Sequence, residues 1–223
     1  MNKKILIVAP HMDDEVLGCG GVIAKHIKNK DQVVVCIFCN RAYDGVYNQE
    51  LIDKEKESAK KVKEFYGYQD LIFFDFPDED LSSNFRPALQ SLEKLAKEYL
   101  PQIVYLPFRG DLHQDHKTTS HIGNIVFRSS SGLSTEKVYS YEVPSGTDMS
   151  FPDENDIFNP NVFVDISNEI NKKLDAMKLY EVESREFPHP RSSEMLLAKA
   201  RSRGSQSNFE AAEAFMLLFE AVV

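Results

Sequence analysis

Two short stretches of this chain concentrate histidine and carboxylate. Pro10-His11-Met12-Asp13-Asp14-Glu15 follows the apolar run Ile5-Leu6-Ile7-Val8, and Asp111-Leu112-His113-Gln114-Asp115-His116 follows Ile103-Val104-Tyr105-Leu106. Each places imidazoles and acids just past a strand-like run. A metal centre with three protein ligands, one open position and spare acid–base groups needs such a set. The spacing nominates His11 and Asp14, across a tight turn, and His116 from the second stretch as ligands of one ion. Asp13, beside a ligand, is placed to accept the proton of an attacking water. His113 as an imidazolium would stabilise a tetrahedral oxyanion or protonate a leaving amine, with Asp115 holding the ring and raising its pKa. Asp111 and Glu15 are candidates for hydrogen bonds to the ligating histidines.

The chemistry implied is hydrolysis by a metal-activated water, with zinc the expected metal and ferrous iron or another divalent ion an alternative. The same ligand types serve the two-histidine, one-carboxylate iron site of oxygenases. Acids in these places could also merely cap a helix and suit its positive end. Two such clusters at neighbouring strand ends weigh against capping alone.

The elements that must position these groups follow from short apolar runs alternating with helical patterns, the mark of a parallel sheet covered on both faces. Strands are expected over residues 4–9, 32–38, 71–74 and 102–106, with helices over 16–28, 51–66, 85–99 and 116–128. Gly67 stops the second helix and Pro101 forbids continuation of the third. Strands over 138–142 and 162–166 flank a Pro/Asp/Asn-rich stretch, 144–161, read as a long functional loop. A helix over 168–182 and helical segments over 193–203 and 208–219 complete the chain. The fold class is therefore α/β, a Rossmann-like three-layer sandwich with a mostly parallel sheet in the order 3-2-1-4-5 and C-terminal helices. One domain is expected over residues 1–223. In that order the first and fourth strands are neighbours at the point where winding reverses, where open α/β sheets bind ligands.

Composition bounds the partners. With 223 residues and a net charge of −9, the chain can bury one α/β core, and it lacks the basic face of a nucleic-acid or anionic-membrane binder. The opening apolar run is too short for a secretory signal, and no run reaches the roughly 18 apolar residues of a membrane span. Three cysteines, Cys19, Cys36 and Cys39, suit a reducing compartment, so a cytoplasmic location is expected. Cys36-Ile37-Phe38-Cys39 has redox or zinc-knuckle spacing but reads as buried strand cysteines. Gly18, Gly20 and Gly21 lie within the first helix and lack a full dinucleotide fingerprint. Close helix–sheet packing is their expected use.

Laid out this way, the chain resembles the LmbE-like (PIG-L) family of zinc-dependent N-deacetylases. That family's first motif, (A/P)-H-P-D-D-E, stands here as residues 10–15, and its H-x-D-H motif as His113-Gln114-Asp115-His116. Lys54-Glu55-Lys56-Glu57-Ser58-Ala59, Val164-Asp165-Ile166-Ser167, Pro188-His189-Pro190-Arg191-Ser192, Arg203-Gly204 and Ala212-Glu213-Ala214-Phe215 extend the likeness along nearly the whole chain. The resemblance implies His11, Asp14 and His116 as ligands, Asp13 as general base, and His113 as acid or oxyanion donor tuned by Asp115. It implies removal of an acetyl group from an N-acetylated amino sugar carried on a glycoside, glycoconjugate or nucleotide. A non-catalytic sugar- or nucleotide-binding module and an amidase acting on a non-sugar acyl amide are the alternatives. Met12 replaces the family's proline, which leaves the ligand turn softer.

For substrate contacts, Arg41, His189 and Arg191 are candidates, with Arg109 a weaker one, to grip a hydroxyl, carboxylate or phosphate. Tyr43, Tyr47 and Phe151 are read as loop plugs rather than stacking platforms. Phe215, Met216, Leu218 and Phe219 are read as a core-facing helical stripe, with a homo-oligomer contact the lesser alternative.

Overall fold

The structure, a computed structural model, describes residues 2–40, 49–151 and 156–222. Its elements run β1 (Lys4–Ala9), α1 (Asp14–Lys28), β2 (Gln32–Asn40), α2 (Gln49–Tyr66), β3 (Asp70–Pro77), α3 (Phe85–Tyr99), β4 (Ile103–Pro107), α4 (Gln114–Val126), β5 (Lys137–Tyr141), β6 (Val162–Asp165), α5 (Ile170–Lys178), α6 (Ser193–Ser205) and β7 (Ala212–Glu220). Among the described residues the strands form one sheet in the order β3-β2-β1-β4-β5-β7-β6.

β1 is apolar on both faces because helices cover the sheet on both sides. Ile5 and Ile7 pack with Val16, Leu17 and Ile23 of α1 and with Val62 of α2. Leu6 and Val8 meet Leu92 of α3 and Ile122 of α4 on the opposite face. β1 pairs in parallel with β2 and β4, so that Ile7 stands between Val35 and Tyr105. The carboxyl ends of β1 and β4 therefore open side by side, and both chemistry-bearing stretches leave the sheet there. α1 and α4 each begin two residues earlier than expected, at Asp14 and Gln114, which puts acids of both stretches in first helical turns.

The expected order 3-2-1-4-5 is present, and beyond it the sheet departs from expectation. Residues 208–219 form no helix. β7 runs antiparallel to both β5 and β6. Ala, Glu, Met and Leu favour helix, and a short apolar run does not declare its period. Pairing on both edges and full burial of Phe215 decide for a strand. The helix expected over 168–182 ends at Lys178, after which the chain turns and buries Tyr180 and Glu183. Cys36 and Cys39 are buried, unpaired strand residues, as expected. No described helix is long and apolar enough to cross a membrane.

The glycines of α1 serve packing. A Cβ on Gly18 would lie 2.2 Å from Cδ2 of Tyr141, and one on Gly21 would lie 2.6 Å from Cγ2 of Ile166. This close approach lets the buried Tyr141 hydroxyl donate to the Val8 carbonyl at 2.8 Å. Glu213 of β7 accepts from the main-chain N–H groups of Gly21 and Val22 at 2.8 and 2.7 Å. Lys173 of α5 joins Glu213, at 2.6 Å, to the Leu17 carbonyl, at 2.8 Å. One buried ion pair thus ties α1, α5 and β7 together.

Gly18→Ala sets a helix-propensity gain of about 1 kcal/mol against this ring contact. We expect a net loss of about 1–3 kcal/mol from overpacking, read by urea unfolding. Wild-type stability in that variant would mean that the Tyr141 ring moves aside freely.

Candidate metal centre and its cleft

His11 lies in the turn after β1, Asp14 in the first turn of α1 and His116 in the first turn of α4. Asp14 Oδ2 is 3.3 Å from His11 Nδ1 and 3.1 Å from His116 Nε2, and those two nitrogens are 3.2 Å apart. Zinc bonds of ~2.0 Å in a tetrahedron give ligand–ligand edges of about 3.3 Å. The donor triangle has that size, and the three residues fit a divalent cation with a fourth position open. His11 with His113 and His116, and His11 with Asp78, His113 and Asp115, are two further groupings of potential ligand atoms. The Asp14 triangle has all three of its edges at the tetrahedral spacing. Asp14 Oδ2 also accepts the His11 main-chain N–H at 3.0 Å, closing the turn.

The electrostatics agree. Burial opposes charge on all three groups, but their mutual attraction outweighs it. His116 and His11 hold the Asp14 carboxyl well below the usual range. Asp14 and Asp111 lift His116 to about 9. His11 is raised by Asp115, Asp14 and Asp78. Protons compete for these lone pairs wherever a cation would sit.

The surrounding acids correct three expectations. Asp111 takes its expected place, with Oδ2 3.3 Å from His116 Nδ1, in ion-pair range though off the line of a hydrogen bond. It is fixed by Thr147 Oγ1 and by the His113 N–H, each at 2.9 Å. A Cβ on Gly146 would lie 2.4 Å from Asp111 Oδ1, so only glycine lets this loop close over it.

Asp115, expected on His113, instead turns to His11, at 3.3 Å from Nε2. It also accepts the main-chain N–H groups of Glu79 and Leu81 at 2.7 and 3.2 Å. His113 Nδ1 is 4.0 Å from that carboxylate and accepts the Asp115 N–H at 3.2 Å, because the start of α4 needs an acceptor there. The His113 proton therefore resides on Nε2. Burial and the neighbouring His11 and His116 lower its pKa rather than raise it, so His113 is a neutral donor near pH 7, not an imidazolium. Glu15, expected beside the histidines, is fully buried away from them. It accepts the Asp13 N–H at 3.1 Å and the Tyr180 hydroxyl at 2.5 Å, and burial raises its pKa to about 7.

Asp13 caps α1 with φ 103°, a left-handed conformation. In a non-glycine residue this costs of order 1–3 kcal/mol. Burial pushes its carboxyl pKa well up, against the pull of Arg191. Arg191 Nη1 lies 2.8 Å from Asp13 Oδ2 and also meets Glu183, while Nε donates to Ser145 Oγ at 3.0 Å. Arg191, expected to grip substrate, is thus engaged with Asp13 while still lining the cleft. His189 does not reach the cleft; its Nδ1 accepts the Arg191 N–H at 3.1 Å and braces that loop. Arg109 lies outside the cleft, 3.7 Å from Asp156. Arg41, Tyr43 and Tyr47 fall outside the described residues. Phe151 is 98 % exposed, so among the described residues it is not the loop plug expected. Met12 is buried in the core beneath the turn, so packing restrains what a proline ring would.

These groups open into a cleft of about 230 Å³, with Leu112, Val143 and Met149 as apolar walls and His11, Asp13, His113, His116 and Arg191 as polar ones. Asp78 also lines it, with Oδ1 2.9 Å from His11 Nε2. Asp78 is not among the residues that the spacing nominates. Its signal was an acid in the first turn after β3, on the sheet edge shared by both motifs. Ser145, Gly146 and Met149 come from the stretch read as a functional loop.

The profile of the PIG-L family, described as GlcNAc-PI de-N-acetylase, matches residues 6–127, from β1 through α4 and across both motifs. The chain is 28% identical over 191 residues to a diacetylchitobiose deacetylase of Thermococcus kodakarensis, covering 80% of this chain and 69% of that protein. The N,N'-diacetylchitobiose deacetylase of Pyrococcus horikoshii superposes with a TM-score of 0.78 at 20% identity, over 97% of this chain and 84% of the other. The 4-carboxy-2-hydroxymuconate hydratase of Pseudomonas putida superposes at 0.73 with 20% identity, over 99% and 98%. Such structural likeness establishes the fold and leaves the reaction to the site. With more than half its length matched by the family profile and both motifs at the sheet's open edge, the chain belongs to the PIG-L family of de-N-acetylases.

Proposed function

We propose that this protein is a zinc-dependent hydrolase that removes the acetyl group from an N-acetylated amino sugar, with His11, Asp14 and His116 as the metal ligands. The observation that carries the reading is the donor triangle, with edges of 3.1 to 3.3 Å, opening into a cleft beside a buried acid and a neutral imidazole. Family membership supports amide hydrolysis over oxygen chemistry or hydration.

A divalent cation on the triangle supplies Lewis acidity, polarising the acetamide carbonyl and acidifying water. Asp13 takes the proton of the attacking water. Burial strengthens its hold on that proton, which it returns to the sugar nitrogen as the C–N bond breaks, releasing acetate and a free amine. Before attack, Arg191 favours the ionised Asp13 that this role needs. His113 donates from Nε2 to the carbonyl oxygen as negative charge develops there. Asp115 and Asp78 fix the ring of His11, and Asp111 stands behind His116.

The cleft is smaller than the ~300–1,000 Å³ of common small-molecule pockets. It suits an acetamide on one sugar ring, with the rest of a glycoside, glycoconjugate or nucleotide-linked substrate outside, beyond Leu112 and Met149. Three unpaired cysteines support a cytoplasmic setting. One catalytic domain carries the reaction. Acetate release from N-acetylglucosamine derivatives distinguishes this enzyme from a binding module of the same fold.

Titration of the metal-free protein with Zn²⁺ is expected to show one tight equivalent. Asp14→Ala and His116→Ala should each weaken it at least about 100-fold, since a ligand outweighs the 10–100-fold typical of its supporting partners. Full zinc occupancy in both variants would remove the ligand assignment.

The acid limb of the pH–rate profile reports Asp13. Activity is present when Asp13 is ionised and falls as pH drops through its raised pKa. Arg191→Met removes the charge that opposes this rise, so the limb should move to higher pH with KM little changed. A limb that stays in place would exclude Asp13 as the titrating base.

A further inference from the structure

We infer that Glu15 and Tyr180 form a buried brace that holds the Asp13 main chain in its left-handed turn and so aims the Asp13 carboxylate into the cleft. Both are positioning residues, and the inference rests on the reading of Asp13 as the base.

Asp13 has neither glycine's freedom nor an ordinary backbone angle, with φ 103°, so the surrounding structure must hold it there. Its N–H points away from the cleft and donates to Glu15 Oε2 at 3.1 Å, while Glu15 Oε1 accepts the Tyr180 hydroxyl at 2.5 Å. Both side chains are shut off from solvent. A carboxylate buried this deeply is costly unless its oxygens are matched. Here each oxygen is spent on a different element, one on the motif and one on the segment after α5.

That same segment carries Arg191, which grips the Asp13 carboxylate at 2.8 Å. Asp13 is therefore held at its main chain and at its side chain from one stretch of sequence. His11 and Asp14 are secured separately, by the 3.0 Å bond from the His11 N–H to Asp14 Oδ2. Loss of the brace should let Asp13 relax while the metal ligands stay in place.

Tyr180→Phe removes one hydroxyl and keeps the ring. We expect kcat to fall about 10- to 100-fold, the scale of a small misplacement of a reacting group, with KM and zinc stoichiometry within about twofold. Glu15→Gln should behave alike; where it fails to fold, Tyr180→Phe carries the test. On an Asp13→Asn background, Tyr180→Phe should cost little more, because the two act through one group. In the zinc-free protein, amide hydrogen exchange across residues 11–17 should be faster in Tyr180→Phe than in wild type. Unchanged kcat in Tyr180→Phe, or a loss carried over in full on Asp13→Asn, overturns the brace. Wild-type kcat in Asp13→Asn alone would instead overturn the base assignment. The exchange measurement then still decides whether the brace holds the turn.

Discussion

A carboxylate oxygen and two imidazole nitrogens, each 3.1 to 3.3 Å from the other two, repel one another unless a proton or a cation sits among them. Nearly everything around the carboxyl ends of β1 and β4 follows from that convergence. The supporting acids lie on the outer side of each imidazole, Asp115 and Asp78 behind His11 and Asp111 behind His116. They meet the ring nitrogens that face away from the triangle, or, for Asp111, the far nitrogen of His116. Such an excess of acid in a buried place is unfavourable for an empty pocket and favourable for one that receives a doubly charged ion.

The same economy governs Asp13. It stands beside the donor triangle yet belongs to a different network: Arg191 and Glu15 touch it, and Glu183, Ser145 and Tyr180 hold those two in turn. The donors of the triangle come from the first 116 residues, whereas the groups that hold Asp13 come largely from the second half of the chain. The triangle and the setting of Asp13 are thus built by separate parts of the sequence.

This division explains how much was legible in advance. The parallel half of the sheet declares itself through continuous apolar runs. The three members of the donor triangle declare themselves through spacing at the ends of those runs. The partners of Asp115, Glu15 and Arg191 do not, because each comes from a distant part of the chain: the amides of residues 79 and 81, the Tyr180 hydroxyl and the Asp13 carboxylate. Local spacing reports which residues share a neighbourhood and not which way each side chain faces. A lone acid such as Asp78 carries only its place after β3, with no histidine beside it to mark it out. β7 was hidden for another reason: its residues favour helix, and only pairing with β5 and β6 makes it a strand.

The place of β7 in the sheet bears on how the molecule assembles. β6 is made before β7 yet lies outside it, paired to the sheet through β7 alone among the described strands. During synthesis β6 therefore has no edge to join until the later strand arrives and inserts. The turn with Tyr180 and the loop with Arg191 lie between them in the sequence and are likewise made late. A nascent chain can complete the parallel half and both imidazole-bearing motifs early, while the partners of the Asp13 carboxyl and of Glu15 arrive only with these later residues.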